Sequence, residues 1–169
     1  MQDNTANNQE NSPLEPSSTF MVHMQYLKDL SFENPNPLAH AVEEPTEKPD
    51  VGINVQVNAR MLTEGMFEVV LEINVNAKIG NEVLFICQLQ YAAIVSLKID
   101  KQDETAVRKA LLEECPHLIF PFARNIIAET TMNSGFQPLL LQPVDFSKLS
   151  QMAVKNSVAD GSGPNEQVH

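Results

Sequence analysis

The sequence predicts an α+β fold: a four-stranded antiparallel sheet followed by a long helix and a short C-terminal helix. Apolar and polar residues alternate along residues 51–61, 66–79 and 82–95, which is typical of long strands with one buried face. Apolar residues then recur at helical spacing over residues 115–132. A proline-broken apolar segment, residues 136–146, separates this helix from the last one.

The folded domain is expected to span residues 19–155. Residues 1–18 are mostly Asn, Gln, Ser, Pro and Glu and have almost nothing to bury, so they are predicted to be a disordered tail. Residues 156–169 have a similar composition and are also predicted to be disordered. A chain of 169 residues accommodates one domain with two such tails.

The first strand is predicted within residues 19–32, where the apolar pattern changes phase after Lys28. Before the change the apolar face comprises Phe20, Val22, Met24 and Tyr26, and after it Leu30 and Phe32. A β-bulge, or a bend away from the sheet, explains the change. Residues 33–50 contain four prolines and are predicted to be a crossing loop.

All four strands are predicted to form an antiparallel, meander-like sheet. Gly80 and Asn81 separate the second and third alternating segments and predict a short hairpin turn. A short helix over residues 106–113 then follows, with Asp103 or Thr105 as its cap. Pro116 is expected to interrupt this helix.

The main helix is predicted to continue to about Met132, and Pro121 should start or kink it. The Asn-Ser-Gly sequence at 133–135 is a clear helix end. Asp145 is positioned to cap the last helix. The apolar stripe of that helix comprises Phe146, Leu149, Met152 and Ala153.

Composition excludes several function classes. The net charge is −11 and the isoelectric point about 4.7, which argues against nucleic-acid binding and favours a basic protein partner. The start of the sequence lacks a signal-peptide pattern, and no apolar run approaches the ~20 residues that span a membrane. Two cysteines without metal-ligand spacing indicate reduced, buried thiols. A cytoplasmic protein is therefore expected.

No catalytic or metal-binding motif is recognisable, so the protein is not expected to be an enzyme or to hold a cofactor. Cys115 and His117 form the one tempting thiol–imidazole pair, but residues two apart rarely face each other, and a packed cysteine is the better interpretation. Adjacent carboxylates at 43–44 and 113–114 are most often solvated.

The proline-broken segment is the most informative stretch, since loops are rarely this apolar. It either plugs the core or forms one side of a crevice that accepts an extended apolar peptide. In addition, a single sheet with one good helix leaves apolar surface uncovered, which favours self-association.

Several of these motifs together resemble one known family, the SecB protein-export chaperones. The motifs are YLKDLSFENPN at 26–36, FEVVL at 67–71, FIC at 85–87, CPHLIFPFAR at 115–124 and PLLLQPVDF at 138–146. They occur in the family's order and cover about residues 19–150.

The resemblance implies a homotetramer built as a dimer of dimers, with helices packed between sheets. It implies an ATP-independent chaperone that holds nonnative precursor proteins for export. It also implies delivery of these clients to the SecA motor, with no nucleic-acid partner and no direct insertion into a membrane.

The family's client-binding groove corresponds to seven positions here. These are Val51, Ile53 and Val55 on the second strand, and Leu141, Val144, Phe146 and Leu149 on the crossing segment and last helix. SecA, through a basic, zinc-containing C-terminal tail, is implied to dock at Asp29, Glu33, Ile86 and Gln88. Gln88 stands where the family commonly has a glutamate, which should weaken docking modestly.

Two other functions are alternatives to this one. A SecB-like chaperone that guards an antitoxin would share the fold. A hot-dog-type thioesterase is also α+β and oligomeric, but its central helix comes early in the chain, whereas here the sheet precedes the long helix.

Overall fold

The computed structural model describes residues 19–37 and 48–159, and over these residues the sheet precedes the helices, as predicted. The strands are β1 (Phe20–Glu33), β2 (Asp50–Thr63), β3 (Met66–Ile79) and β4 (Glu82–Leu97). The helices are α1 (Glu104–Lys109), α2 (Cys115–Asn133) and α3 (Phe146–Ala159). No helix among the described residues has the length and apolar character needed to cross a bilayer.

The expected C-terminal end of the domain, residue 155, lies within α3, which continues to Ala159. Residues 1–18 and 160–169 of the predicted tails, and residues 38–47 of the predicted crossing loop, lie outside the described residues.

The strands form one antiparallel sheet in the order β1-β4-β3-β2. The predicted meander-like order is wrong for β1, which pairs with β4 and not with β2. β2, β3 and β4 do follow one another, and they are joined by two-residue turns at 64–65 and 80–81. Gly80 has φ 57° and Gly65 has φ 83°, a conformation that glycine adopts without steric cost. β1 lies beside β4, so β1 and β2 are the two edges of the sheet.

The irregularity predicted in β1 is a bulge between Leu27 and Asp29, and a second one lies between Val22 and Met24. Each extra residue shifts the strand by one and exchanges the faces of all residues that follow. Met24 and Tyr26 therefore do not share a face with Phe20, contrary to the prediction. They pair with the residues of β4 that face away from the helices, Ile94 and Ala92.

The core lies between the sheet and α2. α2 covers β3 and β4 with its buried stripe of Ile119, Ala123 and Ile127. The helix-facing residues of β3 are almost inaccessible to solvent; they are Val69, Leu71, Ile73, Val75 and Ala77. The two central strands are thus the best-covered part of the sheet.

The interruption predicted at Pro116 is not observed, because the chain stays helical through both Pro116 and Pro121. A π-helical turn, Ala110–Glu114, joins α1 to α2, and the Cys115 N–H donates to the carbonyl of Ala110, five residues back. Such a wider turn leaves room for the ring of Pro116, whose nitrogen has no proton to donate.

The predicted cap of α1 is confirmed, since the Asp103 carboxylate accepts from the Ala106 N–H at 3.0 Å.

An ion cluster around the buried Glu68 ties three strands together on the other face of the sheet. The Glu68 carboxylate of β3 is only 3% exposed. It accepts from Arg60 Nε of β2 at 2.5 Å, from Lys28 Nζ of β1 at 2.9 Å and from the Tyr26 hydroxyl. The hydrogen bond from Arg60, followed by those from Tyr26 and Lys28, lowers the pKa of Glu68 to about 2.

We predict that Glu68→Gln destabilises the fold by about 1–3 kcal/mol, because the amide cannot accept from all three donors as the charged carboxylate does. Because the folded-state pKa of Glu68 lies below its ordinary value of 4.5, its stabilisation is present above pH 4.5 and is lost as the pH falls towards 2. Urea unfolding at pH 7 and pH 3.5 measures both effects.

Glu72→Gln is the matched control, since the Glu72 carboxylate lies on the same strand and accepts only from Asn74 Nδ2 at 3.0 Å. It should leave the free energy of unfolding nearly unchanged. Equal losses for the two variants would contradict a special role of Glu68.

Candidate functional site

The segment between α2 and α3, residues 136–145, crosses the helix layer without regular secondary structure, as predicted. We call it the strap. At its start, the Phe136 ring lies 4.8 Å from that of Phe85 and 6.2 Å from that of Phe32 (centroid distances). Farther along, Leu141 is buried, and so is Phe146 at the start of α3. Pro138 and Pro143 prevent the chain between these anchors from forming a strand or helix.

Thr131 connects the strap to α2. Its hydroxyl donates to backbone carbonyls of its own helix, with oxygen distances of 3.0 Å to both Ile127 and Ala128, and accepts from the Leu139 N–H at 3.0 Å. The side chain is fully buried. The strap is therefore held by a polar contact as well as by its apolar anchors.

A groove follows β2 where α2 does not cover the sheet. Val51, Ile53 and Val55 face the helix side, opposite Ala77, Val75 and Ile73 of β3. Unlike their β3 neighbours, they are only partly covered, and Ile53 is 46% exposed. Residues 51 and 55 are about 13 Å apart along an extended strand, so the uncovered surface is elongated.

A cavity lies at each end of this surface. The larger cavity, about 540 Å³, is enclosed by Val51, the end of β3, Phe85 and the first residues of the strap. The smaller one, about 340 Å³, lies between Val55 and Val57 of β2, Leu112 of the π-helical turn, and Leu149 and Met152 of α3. Together they form an apolar groove along β2, with Ile53 between them.

Of the seven sequence-predicted groove residues, four come together along β2: Val51, Ile53, Val55 and Leu149. Val144 lines a separate cavity beside Glu113 and His117. Leu141 and Phe146 are 2% and 3% exposed and pack in the core, where they anchor the strap. Phe146 also lines the cavity beside Val144.

The sequence interpretation missed several of the residues that line these two cavities. Phe136 and Leu139 of the strap line the larger cavity, and Leu112 and Met152 line the smaller one. Leu139 follows Pro138 directly and Phe136 precedes it by two residues, so apolar residues close to a loop proline were the available signal. No comparable signal marked Leu112, because it lies in a π-helical turn whose spacing differs from that of an α-helix.

The four predicted docking residues lie on the sheet face opposite the helices. Asp29 pairs with Gln90, and two residues farther along β1 Ser31 pairs with Gln88, followed by Glu33 with Ile86. Residues that pair across two strands share a face of the sheet. Asp29 and Glu33 of β1 therefore lie on the same face as Ile86 and Gln88 of the neighbouring strand β4. Asp29, Glu33 and Gln88 are exposed, and Ile86 is partly buried.

The cysteines are packed and unreactive. Cys115 and Cys87 are fully buried, and this burial raises the pKa of their thiols to about 12 and about 11. Both thiols are protonated at neutral pH, so the Cys115–His117 pair considered above is not a nucleophilic site.

Comparison with known proteins agrees with the fold and the motifs. Residues 13–157 match the family model described as preprotein translocase subunit SecB. The chain is 41% identical over 138 residues to the protein-export protein SecB of Paramagnetospirillum magneticum, covering 82% of this chain and 87% of that protein. It is 45% identical over 139 residues to that of Hyphomonas neptunium, covering 82% and 80%.

The chain belongs to the SecB family. Its function is accordingly that of a SecB protein-export chaperone, in a family that acts by binding and not by catalysis. A solved SecB-like chaperone of Mycobacterium tuberculosis, in complex with a peptide from the HigA1 antitoxin, has the same fold with a TM-score of 0.61. That chain is 12% identical, and the match covers 75% of this chain and 91% of that one.

We predict that Thr131→Val destabilises the protein by about 1–3 kcal/mol, because it leaves the N–H of Leu139 without its acceptor. Thermal unfolding monitored by circular dichroism measures the loss. Thr130→Val makes the same change one residue earlier, on a less buried part of α2, and should cost less. Equal losses would show that the strap contact contributes nothing.

Proposed function

We propose that the chain holds nonnative precursor proteins in the apolar groove along β2, without ATP, and delivers them to SecA. The uncovered side of β2 is the observation that carries this proposal. Val51, Ile53 and Val55 are apolar and at least partly exposed. Val51 and Val55 each line one of the two cavities, and Ile53 lies between them. A folded client has buried its own apolar segments, so such a groove selects unfolded chains.

The shape of the groove supports an extended ligand. Its two cavities are separated by a stretch of strand, which suits alternate side chains of one extended peptide. The walls of the larger cavity are mostly apolar, whereas those of the smaller one also include Gln56, Asn58 and Ser150. Individual segments bind weakly in open grooves. Several grooves on one assembly therefore bind different segments of the same client, and this avidity holds the client more tightly than any single groove does.

The proposed assembly is a dimer of dimers. α2 presents a second apolar face, with Leu118, Phe122 and Met132 each at least 44% exposed. Apolar surface of this kind on a helix already packed on one sheet is suited to a second subunit. Helices would then lie between the sheets of neighbouring subunits.

SecA docking is proposed on the opposite face of the sheet, at Asp29, Glu33, Ile86 and Gln88. The negative charge of this face is complementary to a basic tail. The net charge of −11 also attracts such a tail over longer distances. The docking surface and the groove lie on opposite sides of the sheet. A client can therefore stay bound while SecA approaches.

The antitoxin-guarding alternative has less support. Relatives at 41–45% identity are named protein-export proteins, whereas the antitoxin-bound structure is only 12% identical. A shared fold does not transfer a partner at that identity.

We predict that Ile53→Asp weakens binding of a chemically unfolded precursor by roughly tenfold, because the groove loses an apolar contact and gains a charge. Fluorescence anisotropy of a labelled precursor, in buffer without ATP, measures the affinity. Asn54→Asp places the same charge on the adjacent residue, which faces the other side of the sheet. Equal binding by both variants and the unchanged chain would exclude this groove.

For docking, we predict that Asp29→Lys lowers SecA affinity by roughly three- to tenfold, while Gln88→Glu raises it by up to about fivefold. Surface plasmon resonance with the SecA C-terminal tail measures both. Glu64→Lys makes the same change in net charge in the β2–β3 turn and should have little effect. If Glu64→Lys weakened binding as much as Asp29→Lys, overall charge and not this face would determine docking.

For assembly, native mass spectrometry should detect four chains per particle. Leu118→Glu should shift the population to smaller species, because charge on the second face of α2 opposes its burial. Met61→Glu changes another exposed apolar residue, at the end of β2, and should leave the mass unchanged. If the Leu118→Glu variant remained a tetramer, the subunit interface would not include this face of α2.

A further inference from the structure

The residue that precedes the docking carboxylate Asp29 is a lysine on the same face of the sheet. Lys28 is the extra residue of the bulge between Leu27 and Asp29, and its side chain reaches the face opposite the helices. Asp29 follows it and pairs with Gln90 on that face. An ammonium group so close in the chain is positioned to pair with Asp29 and to compete with a basic partner.

Lys28 is engaged elsewhere. Its ammonium reaches across β4 to the Glu68 carboxylate of β3, with a distance of 2.9 Å between Nζ and Oε2. Among the residues that the structure describes, no ion pair includes Asp29 or Glu33. The two docking carboxylates are therefore exposed and unpaired.

Burial explains why Lys28 pairs with the more distant carboxylate. The Glu68 side chain is only 4% exposed, and a buried carboxylate is costly unless cations and hydrogen-bond donors offset its charge. Asp29 is exposed, and water already solvates such a group, so an ion pair there contributes little. Lys28 is thus stabilised more by Glu68 than by Asp29.

Arg60, the other cation bound to Glu68, is too distant to compete for Asp29. It lies on β2, and β3 and β4 separate that strand from β1. At the usual strand spacing this is a distance of about 14 Å. It exceeds the Debye length of about 8 Å at physiological ionic strength. The position of the Lys28 ammonium therefore decides the local charge beside Asp29.

We propose that Glu68 is a positioning residue for the docking surface: it holds the Lys28 ammonium away from Asp29, so that the Asp29 carboxylate stays free for a basic partner. This deepens the proposed docking of SecA and rests on it. Glu68 is buried and does not touch the partner. It acts on docking through the cation that it binds.

Neutralising Glu68 tests the proposal in the full chain. Glu68→Gln should lower the affinity for the SecA C-terminal tail by about three- to fivefold, because Lys28 is released and pairs with Asp29. Surface plasmon resonance measures the affinity, and circular dichroism checks that the variant is folded. Adding Lys28→Met to Glu68→Gln removes the competing ammonium, so the affinity should return to within about twofold of that of the unchanged chain.

Glu68→Gln combined with Lys98→Met is the matched control, since it restores the same net charge at a distant place. Lys98 is exposed and follows β4, about 26 Å from Gln90 along an extended strand. This control should not restore the affinity. Rescue by both double variants would show that overall charge determines docking. Rescue by neither would show that Glu68 acts only on stability, and either result overturns the proposal.

A second pair of variants leaves Glu68 intact and does not depend on the folding of Glu68→Gln. Lys28→Met should change the affinity for the tail by less than about twofold, because an ammonium held by Glu68 does not compete. Ser31 pairs with Gln88 and lies between Asp29 and Glu33 on the same face. Ser31→Lys adds a cation there that no buried carboxylate holds, and it should lower the affinity by about three- to tenfold.

These measurements separate failure of the docking site from failure of the positioning role. If Asp29→Lys does not weaken binding of the tail, the docking site itself is wrong, and the role of Glu68 falls with it. If Asp29→Lys weakens binding but Lys28→Met strengthens it by about threefold or more, Lys28 already competes with the partner in the unchanged chain. The docking site then stands, and the role of Glu68 is wrong.

Discussion

The structure depends on a mismatch of width between one helix and a four-stranded sheet. Strands lie about 4.8 Å apart and a helix with its side chains is about 10 Å wide, so α2 covers roughly two strands. It covers β3 and β4, whose inward residues are buried. The helix-facing residues of the edge strand β2 have the same apolar alternation but remain partly exposed. The groove is therefore a consequence of packing geometry.

The strap prevents the exposed side of β2 from being closed. Phe136 and Leu141 hold it against the core, and the Thr131 hydroxyl binds the backbone of Leu139. Because Pro138 and Pro143 exclude both strand and helix, the strap cannot pair with the edge of β2 as a regular strand. A cavity of about 540 Å³ remains beside it.

The opposite face of the sheet uses its carboxylates in two ways. Glu68 is buried and satisfied by three donors, so it contributes to the sheet and offers no charge to a partner. Asp29 and Glu33 are exposed, and their charges are available. The two faces of the sheet therefore differ: the face towards the helices carries the partly exposed apolar residues of β2, and the other carries accessible negative charge.

The sequence by itself determined the four long strands, the Gly80 turn, the Asp103 cap and the irregular strap, because these follow from residue periodicity and local backbone chemistry. It also placed Ile53 on an apolar face. Whether such a residue is core or groove depends on what packs above it, and only the tertiary structure decided that Leu141 and Phe146 are buried while Ile53 is not. The continuous helix through Pro116 and the Glu68 cluster were decided there as well. Each depends on hydrogen bonds whose partners no local pattern identifies: an unusual five-residue spacing in the first case, and side chains from three strands in the second.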